Sequence, residues 1–155
     1  MSQPVHILFA TMTGNAEYCA SAAEKALRAL GYTPRVSNVS DVVPAELAHD
    51  PLLLICASTY GEGDPPPDGE SFYDSLKDLD GDLMKNVRYA VLALGDTNYD
   101  DFCGFGKKLE DEFRRLGAQA LLERADADVD YDPVMEAWIN DICNVLRQES
   151  APAGA

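Results

Sequence analysis

Three short runs in this chain, the mostly apolar Val5 to Ala10, the continuously apolar Pro51 to Ala57 and the largely apolar Val87 to Leu94, each lead straight into a polar turn. This arrangement constrains the fold more than any other feature. A strand that lacks polar alternation is covered on both faces, as in a parallel sheet flanked by helices. Helical periodicity fills the intervals. Ala16, Ala20, Ala23, Leu27 and Leu30 recur every three or four residues, which predicts a helix over Asn15 to Leu30 stopped by Gly31. Phe72, Leu76 and Leu79 predict a second helix. Phe105, Leu109, Phe113 and Leu116 predict a third, stopped by Gly117. Val134, Trp138 and Ile142 predict a last helix over Asp132 to Leu146, and Asp41 to His49 holds only a helical turn or two.

Two weaker strands complete the pattern. Tyr32 to Ser37 carries Pro34, which lacks an N–H and so confines the strand to a sheet edge. A short strand is expected near Ala118 to Leu122. Five strands alternating with helices predict a three-layer α/β sandwich around a five-stranded parallel sheet. With the second strand at an edge, right-handed crossovers favour the order 2-1-3-4-5. The ends of strands one and three then flank the switch point where open sheets bind ligands. We expect one domain over residues 1–149 and a flexible tail over 150–155, where the residues are small.

Composition narrows the function. With 155 residues, 46% of them hydrophobic, the chain has enough material for one core. Lys and Arg number 12 against 27 Asp and Glu, a net charge of −15. Such a chain repels nucleic acid and anionic membranes, and it attracts basic protein faces. Cys19, Cys56, Cys103 and Cys143 are isolated, with no C-x-x-C, so no metal site is expected and a reducing compartment fits. The N-terminus shows no basic segment before a long apolar run, so a cytoplasmic protein is expected.

The three turns hold the candidate chemistry. Thr11-Met12-Thr13-Gly14-Asn15-Ala16 opens a helix, whose free N–H groups and side-chain donors suit a phosphate. An ordinary N-cap explains the same residues about equally well. No Lys or Arg precedes Lys25, and G-x-x-x-x-G-K-[ST] is absent, so a nucleoside-triphosphate loop is excluded. Ser58-Thr59-Tyr60-Gly61-Glu62-Gly63-Asp64 follows the third strand. Its G-x-G start breaks at Pro66, which excludes a dinucleotide fingerprint. Gly95 to Gly104 follows the fourth strand on the same rim, so Tyr99 and Tyr60 are able to face one flat ring. Phe102 serves equally well as a core cap, and Cys103 has no neighbouring His to activate it. A phosphoryl-accepting receiver domain would need acids where Ala10-Thr11 and Ala57-Ser58 stand, and no cysteine begins a Cys-x₅-Arg phosphatase loop.

As a set, Thr11-Met12-Thr13-Gly14-Asn15-Ala16-Glu17, Ser58 to Asp64, Leu94-Gly95-Asp96-Thr97-Asn98-Tyr99-Asp100-Asp101-Phe102-Cys103, and Gly106 through Ala118 resemble the flavodoxin family over nearly the whole chain. The nearest patterns are the FMN-binding domains of diflavin reductases, such as the sulfite reductase flavoprotein and cytochrome P450 reductase, and small MioC-type flavodoxins. MioC-type sequences tend to carry His where Tyr60 stands, which leans this chain toward the reductase-domain pattern. The chain is too short for the insertion that splits the last strand of long-chain flavodoxins.

The resemblance implies a flavodoxin-like fold and an FMN cofactor. Its phosphate would be held by Thr11, Met12, Thr13, Gly14, Asn15 and Ala16, and its ring would lie between Tyr60 and Tyr99. Ser58, Thr59, Gly61, Leu94, Gly95, Asp96, Asn98, Phe102, Cys103 and Asp128 complete the expected site. In the family, the glycine matching Gly61 presents its carbonyl to flavin N5–H after one-electron reduction. The expected function is a monomeric one-electron carrier rather than an enzyme. An NADPH-dependent flavodoxin reductase would be its donor, and the acceptor is unidentified. The alternative is the FMN module of a larger diflavin reductase. Glu62, Asp64, Asp68, Asp96, Asp100, Asp101 and Asp128 would place negative charge around the ring.

Overall fold

A computed structural model describes residues 4–11, 14–60 and 62–150. Its strands are β1 (Pro4–Ala10), β2 (Thr33–Asn38), β3 (Leu52–Ser58), β4 (Arg88–Leu94), β5 (Gln119–Ala120) and β6 (Ala125–Ala127). Its helices are α1 (Asn15–Ala29), α2 (Glu70–Lys77), α3 (Gly104–Arg115) and α4 (Asp132–Ser150). Every strand pairing is parallel, in the order β2-β1-β3-β4-β5, with β6 also paired to β4. The expected order is therefore observed, and Pro34 sits on the edge strand β2.

The largely apolar strands produce two cores. Successive residues point to opposite faces, so each strand feeds both. Leu8, Leu53, Ile55, Tyr89 and Val91 pack with Phe72 and Leu76 of α2 and with Phe105, Leu109 and Phe113 of α3. On the other face Ile7, Phe9, Leu54, Cys56 and Leu92 pack with Ala16, Ala20 and Leu27 of α1 and with Trp138, Ile142 and Leu146 of α4. All seven residues of β3 are buried, as expected for a central strand. Helices α1 and α3 end alike. Gly31 and Gly117 take φ near +93°, and the next residue's N–H returns to Leu27 and Phe113 at 3.1 and 3.0 Å.

The structure differs from the sequence-based expectation in three places. Helix α2 ends at Lys77, so Leu79 packs on the core from beyond the helix. Helix α4 continues past Leu146 to Ser150, and Arg88 of β4 pairs with Glu149 near its end. The fifth strand position is shared by β5 and β6, which pair with the two ends of β4. Between them Arg124 leaves the sheet to bond Glu110 of α3 at 2.7 Å and Asp126 of β6 at 2.7 Å. Glu110 is buried, and this ion pair is what its carboxylate needs to be there.

Candidate functional site

The C-terminal ends of β1, β3, β4 and β6 carry the loops that form the site. In the first, Gly14 sits at φ 92° before α1, and its N–H donates to Thr11 Oγ1 at 2.8 Å. The Thr11 hydroxyl thus accepts locally and keeps its hydrogen for another partner. The N-terminus of α1 has no side-chain cap among the described residues, so its first amides point to the rim with no intrahelical partner. Ala16 is buried in the core, which leaves only its backbone to serve a ligand. Met12 and Thr13 lie outside the described residues.

Asp68 ties this loop to two others. Its Oδ2 accepts from the Thr11 N–H at 3.4 Å and from Asn38 Nδ2 at 3.0 Å. In the second loop, Tyr60 and Asp64 exchange backbone hydrogen bonds of 2.8 and 2.9 Å, which closes a small hairpin. Gly63 turns it at φ +88°. Gly61 lies outside the described residues. Ser58 is buried, and Thr59 Oγ1 is buried without a hydrogen-bond partner among the described residues. A buried hydroxyl left unpaired costs about 1–3 kcal/mol, so it favours a ligand that pairs it.

The third loop is held by its own chemistry and by β6. Asn98 N–H donates to Asp96 Oδ1 at 2.9 Å, and Gly95 N–H donates to the Ala127 carbonyl at 2.9 Å. Asp128 accepts from Thr97 Oγ1 at 2.7 Å, from Thr97 N at 3.1 Å and from Val129 N at 2.8 Å. The Thr97 hydroxyl first, then the two backbone donors, hold its carboxyl below the ordinary aspartate value. Cys103 approaches Gly95 so closely that a Cβ there would lie 2.7 Å from the Cys103 nitrogen. Its thiol donates to the Ala93 carbonyl at 3.3 Å. Burial, reinforced by Asp126, pushes it up to about 12, so it is not a nucleophile at neutral pH.

These loops enclose a cleft of about 480 Å³, within the size range of small-molecule sites. Asn15, Ser58, Thr59 and Tyr60 line it from the first two loops, and Leu94, Gly95, Asp96, Tyr99, Cys103 and Asp128 line it from the others. Tyr60 and Tyr99 are both exposed, at 52% and 44%. Large rings left open beside a cleft suit a flat partner. Thr11, Gly14, Ala16, Asn98 and Phe102 are not on its wall. Phe102 packs against the core instead, and Asn98 is exposed at a turn.

Two wall residues escaped the sequence reading, Val129 and Tyr131, while Asp101, expected only as a charge near the ring, also stands on the wall. Tyr131 donates to Asn15 Oδ1 at 3.4 Å and meets Tyr18 edge-on at 6.3 Å between ring centroids. An aromatic directly before the Asp132 helix start, on the same rim, was the available signal. Among the described residues no group of His, Cys, Asp and Glu is placed to hold a metal. No described helix is long and apolar enough to cross a membrane.

The donor set fits a flavin mononucleotide: a helix N-terminus with no basic residue for the phosphate, the unpaired Thr59 hydroxyl for the chain, and two open tyrosines for the ring. Comparison with known proteins agrees. The chain is 36% identical to the sulfite reductase [NADPH] flavoprotein alpha-component of Bacillus subtilis over 100% of its length and 26% of the relative's. It is 37% identical to the Vibrio cholerae counterpart over 96% of its length and 24% of the relative's. The chain thus spans about a quarter of these curated relatives. Among solved structures, a flavodoxin of Streptococcus pneumoniae TIGR4 superposes with a TM-score of 0.82 at 27% identity, covering 94% of this chain and 99% of that one. A short-chain flavodoxin associated with a bacterial microcompartment gives 0.82 at 29% identity, covering 96% and 99%. With the flavodoxin family model matching residues 7–138, the chain belongs to the flavodoxin family, whose cofactor is FMN.

Proposed function

We propose that this chain is an electron carrier that works through FMN bound in the cleft and exchanges electrons with separate redox proteins. The observation that carries the reading is the convergence of the start of α1 with the loops after β3, β4 and β6 on one cleft lined by Tyr60 and Tyr99. Bound FMN supplies the redox chemistry, and the chain supplies position and electrostatics. The first loop and the N-terminus of α1 receive the phosphate through backbone and hydroxyl donors. The Thr59 hydroxyl pairs with the chain that links phosphate to ring. Tyr60 and Tyr99 cover the ring and exclude water from its faces. Carboxylates in the rim loops disfavour added negative charge, which lowers the potential of the last electron. The same charge steers a basic partner, with an NADPH-dependent flavodoxin reductase as the donor.

A second reading, that the chain is the FMN module of a larger diflavin reductase, is favoured by its match to about a quarter of the sulfite reductase flavoproteins. Both readings place the same residues around the same cofactor. The test of the carrier role is anaerobic. FMN-loaded protein is mixed with NADPH, with and without a flavodoxin reductase, and the visible flavin bands are followed. Bleaching that requires the reductase supports a carrier. Bleaching by NADPH alone contradicts it.

A further inference from the structure

We propose that Lys108 is a positioning residue for the ring end of the cleft: it braces the Tyr60–Asp64 hairpin against the start of α3 and thereby fixes the Tyr60 ring. The proposal rests on the FMN reading above. Among the described residues the hairpin's internal hydrogen bonds are its two mutual backbone bonds, and a bridge that small is marginal by itself. Glu62 and Asp64 are exposed, so neither anchors the loop in the core. Its position has to come from the neighbouring element.

That element is α3 with the loop before it. Gly63 is seated in a notch where a Cβ would lie 2.1 Å from Asp101 Oδ2, and a Cβ on Gly104 would lie 2.6 Å from the Gly63 Cα. One turn further along α3, Lys108 Nζ donates to the Gly63 carbonyl at 2.8 Å from a half-buried position. An ionised donor makes this bond stronger than a neutral one. Among the described residues, no other Lys or Arg donates to the loops after β1, β3 or β4. Glu62 Oε2 adds a weaker strut, accepting from the Asp101 N–H at 3.4 Å. Gly63 shape thus sets where the hairpin tip rests, and Lys108 keeps it seated. Tyr60 lies at one end of that hairpin and on the cleft wall, so the brace controls the ring face it presents.

The experiment compares wild type with Lys108→Met, which keeps the stem and loses the donor, and Lys108→Arg, which keeps a cation. In flavin-free protein, Lys108→Met is expected to speed amide hydrogen exchange at Tyr60 and Asp64 roughly tenfold, with β3 and β4 unchanged. Dissociation constants for riboflavin and FMN are expected to rise together, also about tenfold, because the loss is at the ring and not the phosphate. Lys108→Arg should recover most of both effects. Unchanged exchange at Tyr60 and Asp64, a loss confined to FMN, or faster exchange throughout the sheet would each overturn the proposal. If wild-type protein takes up neither riboflavin nor FMN, the reading of the cleft fails, and the ring-positioning role falls with it.

Discussion

Thr97 and Asp128 show how single residues hold the rim. Asp128 is pulled below the ordinary aspartate value chiefly by the Thr97 hydroxyl. Its folded pKa is depressed, so the clasp is complete above the unfolded value of about 3.9 and is lost as pH falls through the folded value. At neutral pH the two loops should stay joined, and loosening should begin only in acid. Thr97→Val removes the largest cause, so the Asp128 carboxyl should titrate closer to its ordinary value, as read by carboxylate carbon NMR. An unmoved titration would mean that the Thr97 hydroxyl is not its partner. Tyr99 makes a different contribution. Aromatic stacking adds about 0.5–1.5 kcal/mol beyond buried area, so Tyr99→Ala should raise the FMN dissociation constant roughly tenfold by fluorescence titration. Unchanged affinity would reduce the ring to a lid on the core. Residues of these kinds differ in how legible they are. Tyr60, Tyr99 and Thr59 stand in turns directly after apolar strands, and the position of those turns on the rim follows from the strand pattern. Phe102 follows the same turn but packs inward, since a one-residue change in direction leaves no trace in composition.

Among the elements, α3 carries two tests. Gly106 lets the helix lie directly on β4, where a Cβ would come within 2.3 Å of Ala93 Cβ. Gly106→Ala should therefore cost about 1–3 kcal/mol in denaturant unfolding, despite the better helix propensity of alanine. A gain in stability would show that the two backbones separate without penalty. Glu110, four residues on, is only 3% exposed and bonds Arg124 at 2.7 Å. It also accepts from Tyr89 OH at 3.2 Å. Arg124→Met leaves this buried carboxylate short of charge and should destabilise the domain by about 3 kcal/mol. Replacing both members, with Glu110→Gln added, should recover much of that loss, and failure to recover it would argue that Arg124 acts through packing. The same ion pair explains why the last strand was hard to read. Apolar runs marked β1, β3 and β4, because strands covered on both faces admit few polar residues, and the buried His6 of β1 is paired with Asp50 and Ser37. The fifth position holds only short pairings and is interrupted by Arg124, so its second half, Ala125–Ala127, carries no such pattern.

At the scale of the whole molecule, charge and topology act together. The net charge is −15, and the loops at the C-terminal rim of the sheet carry Glu62, Asp64, Asp68, Asp96, Asp100, Asp101 and Asp128. Changing these acids to amides should raise the lower FMN potential by tens of millivolts for each one changed, on the order of 1 kcal/mol per charge. It should also slow association with a basic partner and flatten its salt dependence. Flat potentials and on-rates would remove electrostatics from the account. Beneath these effects lies one claim, that the cleft between the three rim loops is an FMN site. The most direct measurement is titration of flavin-free protein with FMN, followed by flavin fluorescence and visible absorbance. Binding should be saturable and one-to-one, with quenched fluorescence, and weakened by Tyr99→Ala. A protein that leaves FMN fluorescence unquenched at every concentration would contradict it.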